Sequence, residues 1–166
     1  MQIAIMADSH DNLANLKKTL SYLNSLGIKK IIHCGDLCHT QILNFIHQEF
    51  KGQLYLSLGN GDNLKDFGKE KTETKIFPNF GFFTIGKKKN KQKIAFCHYK
   101  KRAKELAKTS KYNLIFYGHS HKPWVEKIDK TLLINPGNLC GVFYKPSFAV
   151  YDTEKQGLSL IRLDLI

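Results

Sequence analysis

The sequence lacks any apolar segment long enough to cross a membrane, and its first residues lack the basic start of a secretory signal. Cysteine and tryptophan are scarce, with four and one residues respectively in a chain of 166. So few cysteines argue against a disulfide framework and fit reduced thiols inside a cell. We therefore expect a cytoplasmic protein that does not bind membranes.

Acidic residues are also scarce, since 26 lysines and arginines face 14 aspartates and glutamates, for a net charge of +12. Much of the excess lies in two clusters, at Lys87–Lys93 and Lys100–Lys104. Such a surface attracts phosphates or nucleic acids. No aromatic residue interrupts Lys87–Lys93, so this cluster offers no platform for base stacking, and a solvated basic surface competes with a nucleic-acid partner.

Apolar runs at 3–7, 31–34 and 54–58 predict three buried strands. The segments between them carry apolar residues at helical spacing. Asp11 or Asn12 can cap the first helix, and Gly27 ends it. This alternation predicts a parallel sheet whose strands end at one common edge, where sites form. The apolar helical positions are Leu13, Leu16, Leu20 and Leu23, then Ile42, Leu43, Ile46 and Phe50.

The rest of the chain is richer in strands. Polar residues at 63–75 predict a surface loop, and residues 101–108 predict a helix. The sequence contains no linker or internal repeat, so residues 1–166 are expected to form a single α/β domain with two sheets. Further strands are predicted at 76–77, 82–85, 93–97, 114–117, 124–128, 131–134, 148–151 and 158–163, with a tight turn at Asp129-Lys130.

Side chains that can bind metals follow several of the predicted strands. In Gly118-His119-Ser120-His121 the histidines are separated by one residue just after a strand, so both point roughly the same way. Carboxylate, amide and imidazole groups together suit manganese, iron or zinc in a catalytic site, and Asp36 can bridge two ions. The candidate ligands are Asp8, His10, Asp36, Asn60, His98, His119 and His121.

A second arrangement involves cysteine. Cys34 and Cys38 lie beside His33 and His39, a combination of residue types found in structural zinc sites. Their spacing is wide for such a site, and no second cysteine pair follows. We therefore expect Cys34 to behave as a small buried hydrophobic residue at the end of its strand.

Taken in order, the motifs are Asp8-Ser9-His10, Gly35-Asp36, Gly59-Asn60-Gly61-Asp62, His98 and Gly118-His119-Ser120-His121. This series resembles the calcineurin-like metallophosphoesterases, and the short chain resembles their small bacterial and archaeal phosphodiesterase branch. The resemblance runs from Met1 to about Asn138 and includes the turn Asn135-Pro136-Gly137. It implies a four-layer α/β/β/α sandwich with two mixed sheets and a dinuclear metal site at the carboxyl ends of the strands.

The resemblance also implies how the ligands divide and what they do. Two divalent ions, manganese first and iron, zinc, nickel or magnesium as alternatives, would activate a bridging hydroxide that attacks the phosphorus of a phosphate ester. Asp36, Asn60, Asp62 and His98 would carry the catalytic roles. The first ion would be held by Asp8, His10, Asp36 and His121, and the second by Asp36, Asn60, His98 and His119.

The sequence departs from the family pattern at Gly61. The large family has a histidine there that helps to protonate the leaving group, and the small branch often has a cysteine. Glycine has no side-chain proton to give, so good leaving groups would be favoured, or His39 or Lys122 would assist. Lys100 is a further candidate contact to substrate phosphate. For His39 and Lys100, a plain position at a helix start is the competing interpretation.

Three functions remain open from the sequence. The first is an enzyme that hydrolyses a small phosphodiester, or a phosphomonoester as well. The second is a non-catalytic scaffold, because the same fold serves in eukaryotic endosomal sorting, although the complete ligand set argues against it. The third is a nuclease, which the net positive charge of the chain suggests. A dimer or larger oligomer is compatible with Phe143, Tyr144 and Phe148, which fit the core equally well.

Overall fold

The computed structural model describes residues 1–67, 73–86 and 91–166. Within these ranges, no helix has the length and apolar character needed to span a membrane. The helices and strands are β1 (Gln2–Met6), α1 (Leu13–Ser25), β2 (Lys30–His33), α2 (Thr40–Glu49), β3 (Gln53–Ser57), β4 (Thr74–Phe77), β5 (Phe80–Ile85), β6 (Gln92–Cys97), α3 (Lys100–Lys108), β7 (Leu114–Phe116), β8 (Trp124–Ile128), β9 (Thr131–Asn135), β10 (Ser147–Asp152) and β11 (Gly157–Arg162).

The strands form two mixed sheets. The first has the order β11-β10-β1-β2-β3-β4, in which β1 to β4 run parallel while β10 and β11 pair antiparallel to their neighbours. The second has the order β5-β6-β7-β9-β8, in which β6, β7 and β9 run parallel and the edge strands are antiparallel. The parallel strands are neighbours within each sheet, so their carboxyl ends lie at the same edge of that sheet.

The sheets pack face to face, and helices cover their outer faces. Leu16 of α1 and Ile42 of α2 belong to the core on the first sheet, whereas Ile5 and Phe96 pack between the sheets. Leu106 of α3 covers the second sheet. Burying each such side chain stabilises the fold by about 1.5–3 kcal/mol. The arrangement is the expected α/β/β/α sandwich with two mixed sheets, so the predicted fold class is confirmed.

Helix α1 begins and ends where the sequence predicts. The Oδ1 of Asn12 accepts a hydrogen bond from the N–H of Asn15 at 3.0 Å, which caps the first turn. Gly27 has a φ of +66°, the left-handed conformation that ends many helices. The cap and the terminating glycine predicted from the sequence are therefore both confirmed for this helix.

The polar segment at 63–75 is not a plain loop, and this prediction is wrong at both ends. Residues Leu64–Phe67 form a short 3-10 helix, and Phe67 is buried in the core. From Thr74 onward the chain pairs in parallel with β3. Burial of Phe67 and pairing with β3 determine the structure at these two ends, although the surrounding residues are polar. The middle of this segment, and Lys87, Lys88 and Lys89 of the basic cluster, lie outside the described residues.

Candidate metal centre

The residues predicted as ligands lie on loops that follow β1, β2, β3, β6 and β7. The first three strands are parallel neighbours in one sheet, and the last two are parallel neighbours in the other. The loops therefore meet at one edge of the sandwich, where sites of open sheets form. Asp8 and His10 follow β1, Asp36 follows β2, Asn60 follows β3, His98 follows β6, and His119 and His121 follow β7.

Asp36 lies at the centre of this cluster and is almost fully buried. Its Oδ2 is 3.5 Å from the Nε2 of His10 and 3.5 Å from the Nε2 of His98. Its Oδ1 accepts a hydrogen bond from the N–H of Gly61 at 2.7 Å. The Oδ2 of Asp36 therefore faces His10 in one half of the cluster and His98 in the other half. The ligand atoms that lie within 4.8 Å of one another include those of Asp8, His10 and Asp36, and those of Asp36, His98 and His119.

The half around His98 brings together potential ligand atoms of three side chains. The Nδ1–H of His98 donates to the carbonyl of Cys34 at 2.8 Å, and burial lowers the pKa of the ring, so the neutral form presents a lone pair at Nε2. That atom lies 3.1 Å from the Oδ1 of Asn60 and 3.1 Å from the Nδ1 of His119. Imidazole nitrogens and an amide oxygen that converge in this way fit a divalent ion.

The other half is arranged in a similar way around Asp8. Both carboxylate oxygens of Asp8 accept from the N–H of His119, at 3.1 and 3.0 Å. The Nδ1–H of His121 donates to the carbonyl of Val142 at 3.2 Å, which leaves Nε2 facing Asp8 Oδ1 at 3.8 Å. A backbone carbonyl thus fixes the orientation of this imidazole, as is common for metal-binding histidines.

Negative charge is crowded at this edge of the sandwich. Asp8 is fully buried, and burial followed by the nearby charge of Asp36 raises its pKa to about 8, despite the opposing hydrogen bond from His119. The carboxylate oxygens of Asp8 and Asp36 lie within 4.8 Å of each other, and two buried carboxylates so close repel each other when both are ionised. A divalent cation would offset both the desolvation and the repulsion, so the electrostatics of the site also fit a metal.

The backbone of the ligand loops is strained. Positive φ angles are uncommon for residues other than glycine and cost on the order of 1 kcal/mol or more each. They concentrate here because several loops must turn sharply to direct side chains at one point. The candidate ligands with positive φ are Asp8 (52°), His10 (39°), Asp36 (57°), His119 (69°) and His121 (57°).

This strain gives a testable prediction at His121, whose φ is +57°. We expect the metal-free His121→Gly variant to be more stable than His121→Ala by about 1 kcal/mol, because glycine adopts this conformation without a Cβ clash. Urea unfolding of the two variants measures the difference. The same pair at Ser120, a position without positive φ, should show the opposite order. An alanine variant as stable as the glycine variant at His121 would contradict the prediction.

Glycines precede the ligands because the loops approach one another closely. A Cβ added at Gly59 would overlap the Oδ1 of Asp36. A Cβ added at Gly118 would lie 2.9 Å from the Cβ of Ala7, closer than real Cβ atoms come. Each of these two glycines therefore allows its loop to pack directly against a loop that carries another candidate ligand.

Gly61 has a different neighbour, Cys38. A Cβ added at Gly61 would lie 3.0 Å from the Sγ of Cys38, which is itself 3.5 Å from the Nδ1 of His10. Burial, and then nearby carboxylates, raise the pKa of this thiol to about 12. Cys38 thus fills the space beside the glycine. Cys34 is fully buried, as predicted, so the two cysteines have different environments.

Asp62 connects the loops that carry Asp36 and Asn60. Its Oδ2 accepts from the N–H of Asp36 and from the N–H of Gly59, both at 2.8 Å, and its Oδ1 accepts from the N–H of Cys38 at 2.7 Å. All of these donors are backbone groups. The carboxylate therefore positions the central ligand loop.

The three residues predicted to contact substrate lie within three positions of a candidate ligand in the sequence. The side chain of His39 is 70% exposed and makes no capping hydrogen bond, although His39 occupies the N-cap of α2. Lys100 begins α3. Each has a partner of its own: His39 Nδ1 is 2.7 Å from Asp11, Lys100 Nζ is 3.1 Å from Glu126, and Lys122 Nζ lies 4.9 Å from the ring centroid of Trp124.

His33 is a positioning residue, a role that the sequence analysis did not assign to it. It is fully buried below the loops, and burial lowers its pKa to about 4, so the ring is neutral. Its Nδ1 accepts from the N–H of Gly35 at 3.3 Å, and its Nε2–H donates to the Oγ of Ser9 at 3.1 Å. It therefore joins the loops after β1 and β2. A histidine at the end of an apolar strand was the feature of the sequence that could have indicated this role.

Two asparagines support the histidine loop and were also missed as positioning residues. The Nδ2 of Asn135 donates to the carbonyl of Gly118 at 2.9 Å. The Nδ2 of Asn138 donates to the carbonyl of His121 at 3.1 Å, and its Oδ1 accepts from Gly141. Both residues are buried. The Asn-Pro-Gly turn in the sequence was the signal for this support.

Comparison with known proteins gives the family of the chain. A curated relative, phosphodiesterase MJ0936 of Methanocaldococcus jannaschii, is 31% identical over 164 residues, which cover 94% of this chain and 95% of the relative. A solved archaeal phosphodiesterase is similar with a TM-score of 0.81 and 27% identity, over 98% of this chain and 99% of that one. Wild-type Vps29 of Entamoeba histolytica, solved with zinc, shares the fold with a TM-score of 0.69 and 15% identity, over 98% of this chain and 99% of that one. Residues 1–156 match the calcineurin-like phosphoesterase superfamily domain, and the chain belongs to this family.

Proposed function

We propose that the chain is a metal-dependent phosphodiesterase that hydrolyses a small phosphodiester at a dinuclear centre. The observation that carries the proposal is the position of Asp36 Oδ2, 3.5 Å from a histidine nitrogen on each side. A single carboxylate oxygen between two groups of ligands is what a bridged pair of ions needs. The similarity to phosphodiesterase MJ0936 supports the diester rather than the monoester as the main substrate.

The proposed ligand division follows the two halves of the cluster. Bound metals would acidify water and neutralise charge on the phosphoryl oxygens. Backbone groups orient Asp8, through its two bonds from the N–H of His119, and His98, through its bond to a backbone carbonyl. The first ion would be held by Asp8, His10, Asp36 and His121, and the second by Asp36, Asn60, His98 and His119. Imidazole with oxygen ligands suits manganese, and iron, zinc, nickel and magnesium are the alternatives.

Other residues of the chain would position these groups and the substrate. Asn60 contributes an amide oxygen without adding negative charge, which leaves the centre attractive to an anionic phosphate. Asp62 orients the loop of Asp36 through backbone hydrogen bonds. Because Gly61 has no proton to donate, diesters with good leaving groups should be the better substrates.

A direct assay tests this function. We expect the manganese-loaded protein to hydrolyse bis(p-nitrophenyl) phosphate at least about tenfold faster than p-nitrophenyl phosphate, and the metal-free protein to hydrolyse neither. Zinc, nickel and magnesium should be compared in parallel. Two bound ions without turnover of either ester would contradict the enzyme and favour a scaffold, the second candidate from the sequence.

Exposed aromatic side chains beside the centre favour a nucleic-acid substrate as a further candidate. The ring of Tyr99 lies 4.9 Å from those of His98 and His119, and Phe143, which is 88% exposed, lies 5.9 Å from His121. Such rings can stack on bases, and the net charge is +12. Binding of single-stranded DNA should weaken steeply with salt. Binding that is absent or independent of salt would exclude the nuclease.

A further inference from the structure

A cavity adjoins the loop that carries His119 and His121. Its volume is about 330 Å³. Ser120 lies between the two histidines in sequence and lines this cavity, so one loop forms a wall of the cavity and part of the candidate metal centre. A group bound here would be a near neighbour of a phosphate at the metals. The lining residues are Lys100, Tyr117, Ser120, Lys122, Trp124 and Tyr144.

Helix α3 begins at this cavity with its amino terminus uncapped. Tyr99 occupies the N-cap position, where its side chain makes no capping hydrogen bond, and the first turn contains no acidic residue. The first N–H groups of a helix have no partner within the helix and carry partial positive charge. They therefore favour an anion beside Lys100, the first residue of the helix.

An independent observation at the same place points to a ligand. Tyr117 is fully buried and lines the cavity, and its hydroxyl has no hydrogen-bond partner among the described residues. A buried hydroxyl without a partner is costly, and most such groups in folded proteins are satisfied. A ligand with acceptor oxygens in the cavity would satisfy it.

The charged residues of the cavity favour an anion. Lys100 is neutralised by Glu126, whose Oε1 lies 3.1 Å from its Nζ. The ion pairs of the described residues include no carboxylate partner for Lys122, whose Nζ lies 4.9 Å from the ring centroid of Trp124. The cavity therefore combines an ammonium group that has no carboxylate partner among the described ion pairs with a helix amino terminus, and hydroxyls complete the set of donors.

We propose that this cavity binds a second phosphate group of the substrate, so that the preferred substrate is a phosphodiester with a further phosphate attached. This rests on the proposed phosphodiesterase function, and it adds a substrate class to it. Lys122, the hydroxyls of Tyr117 and Ser120, and the amino terminus of α3 bind the second phosphate, while the scissile diester lies at the metals. A monoester or a diester without the second phosphate leaves the cavity without an anion.

Binding to the protein can be followed directly, because Trp124 is the single tryptophan of the chain and lines the cavity. The manganese-loaded protein is titrated with thymidine 5′-phosphate and with thymidine 3′,5′-bisphosphate while tryptophan emission is recorded. We expect the bisphosphate to bind roughly tenfold more tightly, as charge-assisted hydrogen bonds would give. Lys122→Met should reduce this ratio to about twofold, and Tyr117→Phe should reduce it by a smaller factor.

Lys127→Met is the matched control, because it removes the same charge from β8 at a position outside the cavity and should keep the tenfold ratio. Equal affinity of the two nucleotides in the unmodified protein would overturn the proposal, as would a ratio that survives both cavity variants. Inorganic phosphate that changes the emission as strongly as the bisphosphate would also overturn it, since the site would then hold a free anion. The measurement needs no turnover, so an inactive protein that keeps the ratio would contradict the proposed function alone.

Discussion

Asp36→Asn is expected to reduce the hydrolysis of bis(p-nitrophenyl) phosphate by about 1000-fold and to lower the metal content from two ions to one or none. The variant keeps the shape of the side chain and can still accept from the N–H of Gly61. It removes the charge from the oxygen that lies between His10 and His98. Loss of this one ligand should therefore affect both ions, whereas loss of any other ligand should affect one.

The control is Asp129→Asn, at a hairpin turn where Asp129 has a φ of +51°, a conformation that asparagine tolerates. Its rate and metal content should match those of the unmodified protein. Metal content is measured by elemental analysis after gel filtration, and rates are measured at saturating manganese. An Asp36→Asn variant with two tightly bound ions and a rate within tenfold of the parent would contradict a bridging role.

Asp8→Asn is expected to stabilise the metal-free protein at pH 8, by on the order of 3 kcal/mol. The pKa of Asp8 is about 8 in the folded chain, raised by burial and by Asp36, against an ordinary value of 3.8. Between these pH values the folded state binds more protons than the unfolded state. The contribution of Asp8 to the free energy of unfolding is therefore fully present below about pH 4 and is lost as the pH rises to 8. Asparagine does not titrate, so the variant does not lose this stability.

Urea unfolding of metal-free protein at several values between pH 5 and pH 8 tests this prediction. The unmodified protein should lose stability over that range relative to Asp8→Asn. Saturating manganese should reverse the order of the two proteins at pH 8, because the aspartate then binds an ion and the asparagine binds it poorly. A difference in stability between the two metal-free proteins that is the same at pH 5 and at pH 8 would contradict the account of Asp8.

The order of strands and helices could be read from the sequence because hydrophobic periodicity is strong there. Leu16, Leu20 and Leu23 occur at helical spacing, and all are buried in the core on the first sheet. The polar residues after the strands could be collected as candidate ligands for the same reason, because each follows a clear apolar run. The resemblance to a known family then supplied the sheet arrangement.

Features that depend on contacts between distant segments could not be read from the sequence. Cys38 lies beside Gly61, 23 positions later in the chain, and nothing in the local pattern of either residue indicates that contact. The positive φ angles of Asp8 and His119 likewise arise from the need to direct side chains at one point. The polarity of residues 63–75 misled the prediction, because the burial of Phe67 is decided by its partners in the core.

The central claim is that two ions, held on either side of Asp36, are both required for hydrolysis of a phosphodiester. The most direct measurement is a titration of the metal-free protein with manganese from zero to three equivalents, with the rate of bis(p-nitrophenyl) phosphate hydrolysis followed at each step. The account predicts that the rate rises steeply with the second equivalent and is constant beyond it. A maximal rate at one equivalent, or no hydrolysis with two ions bound, would contradict it.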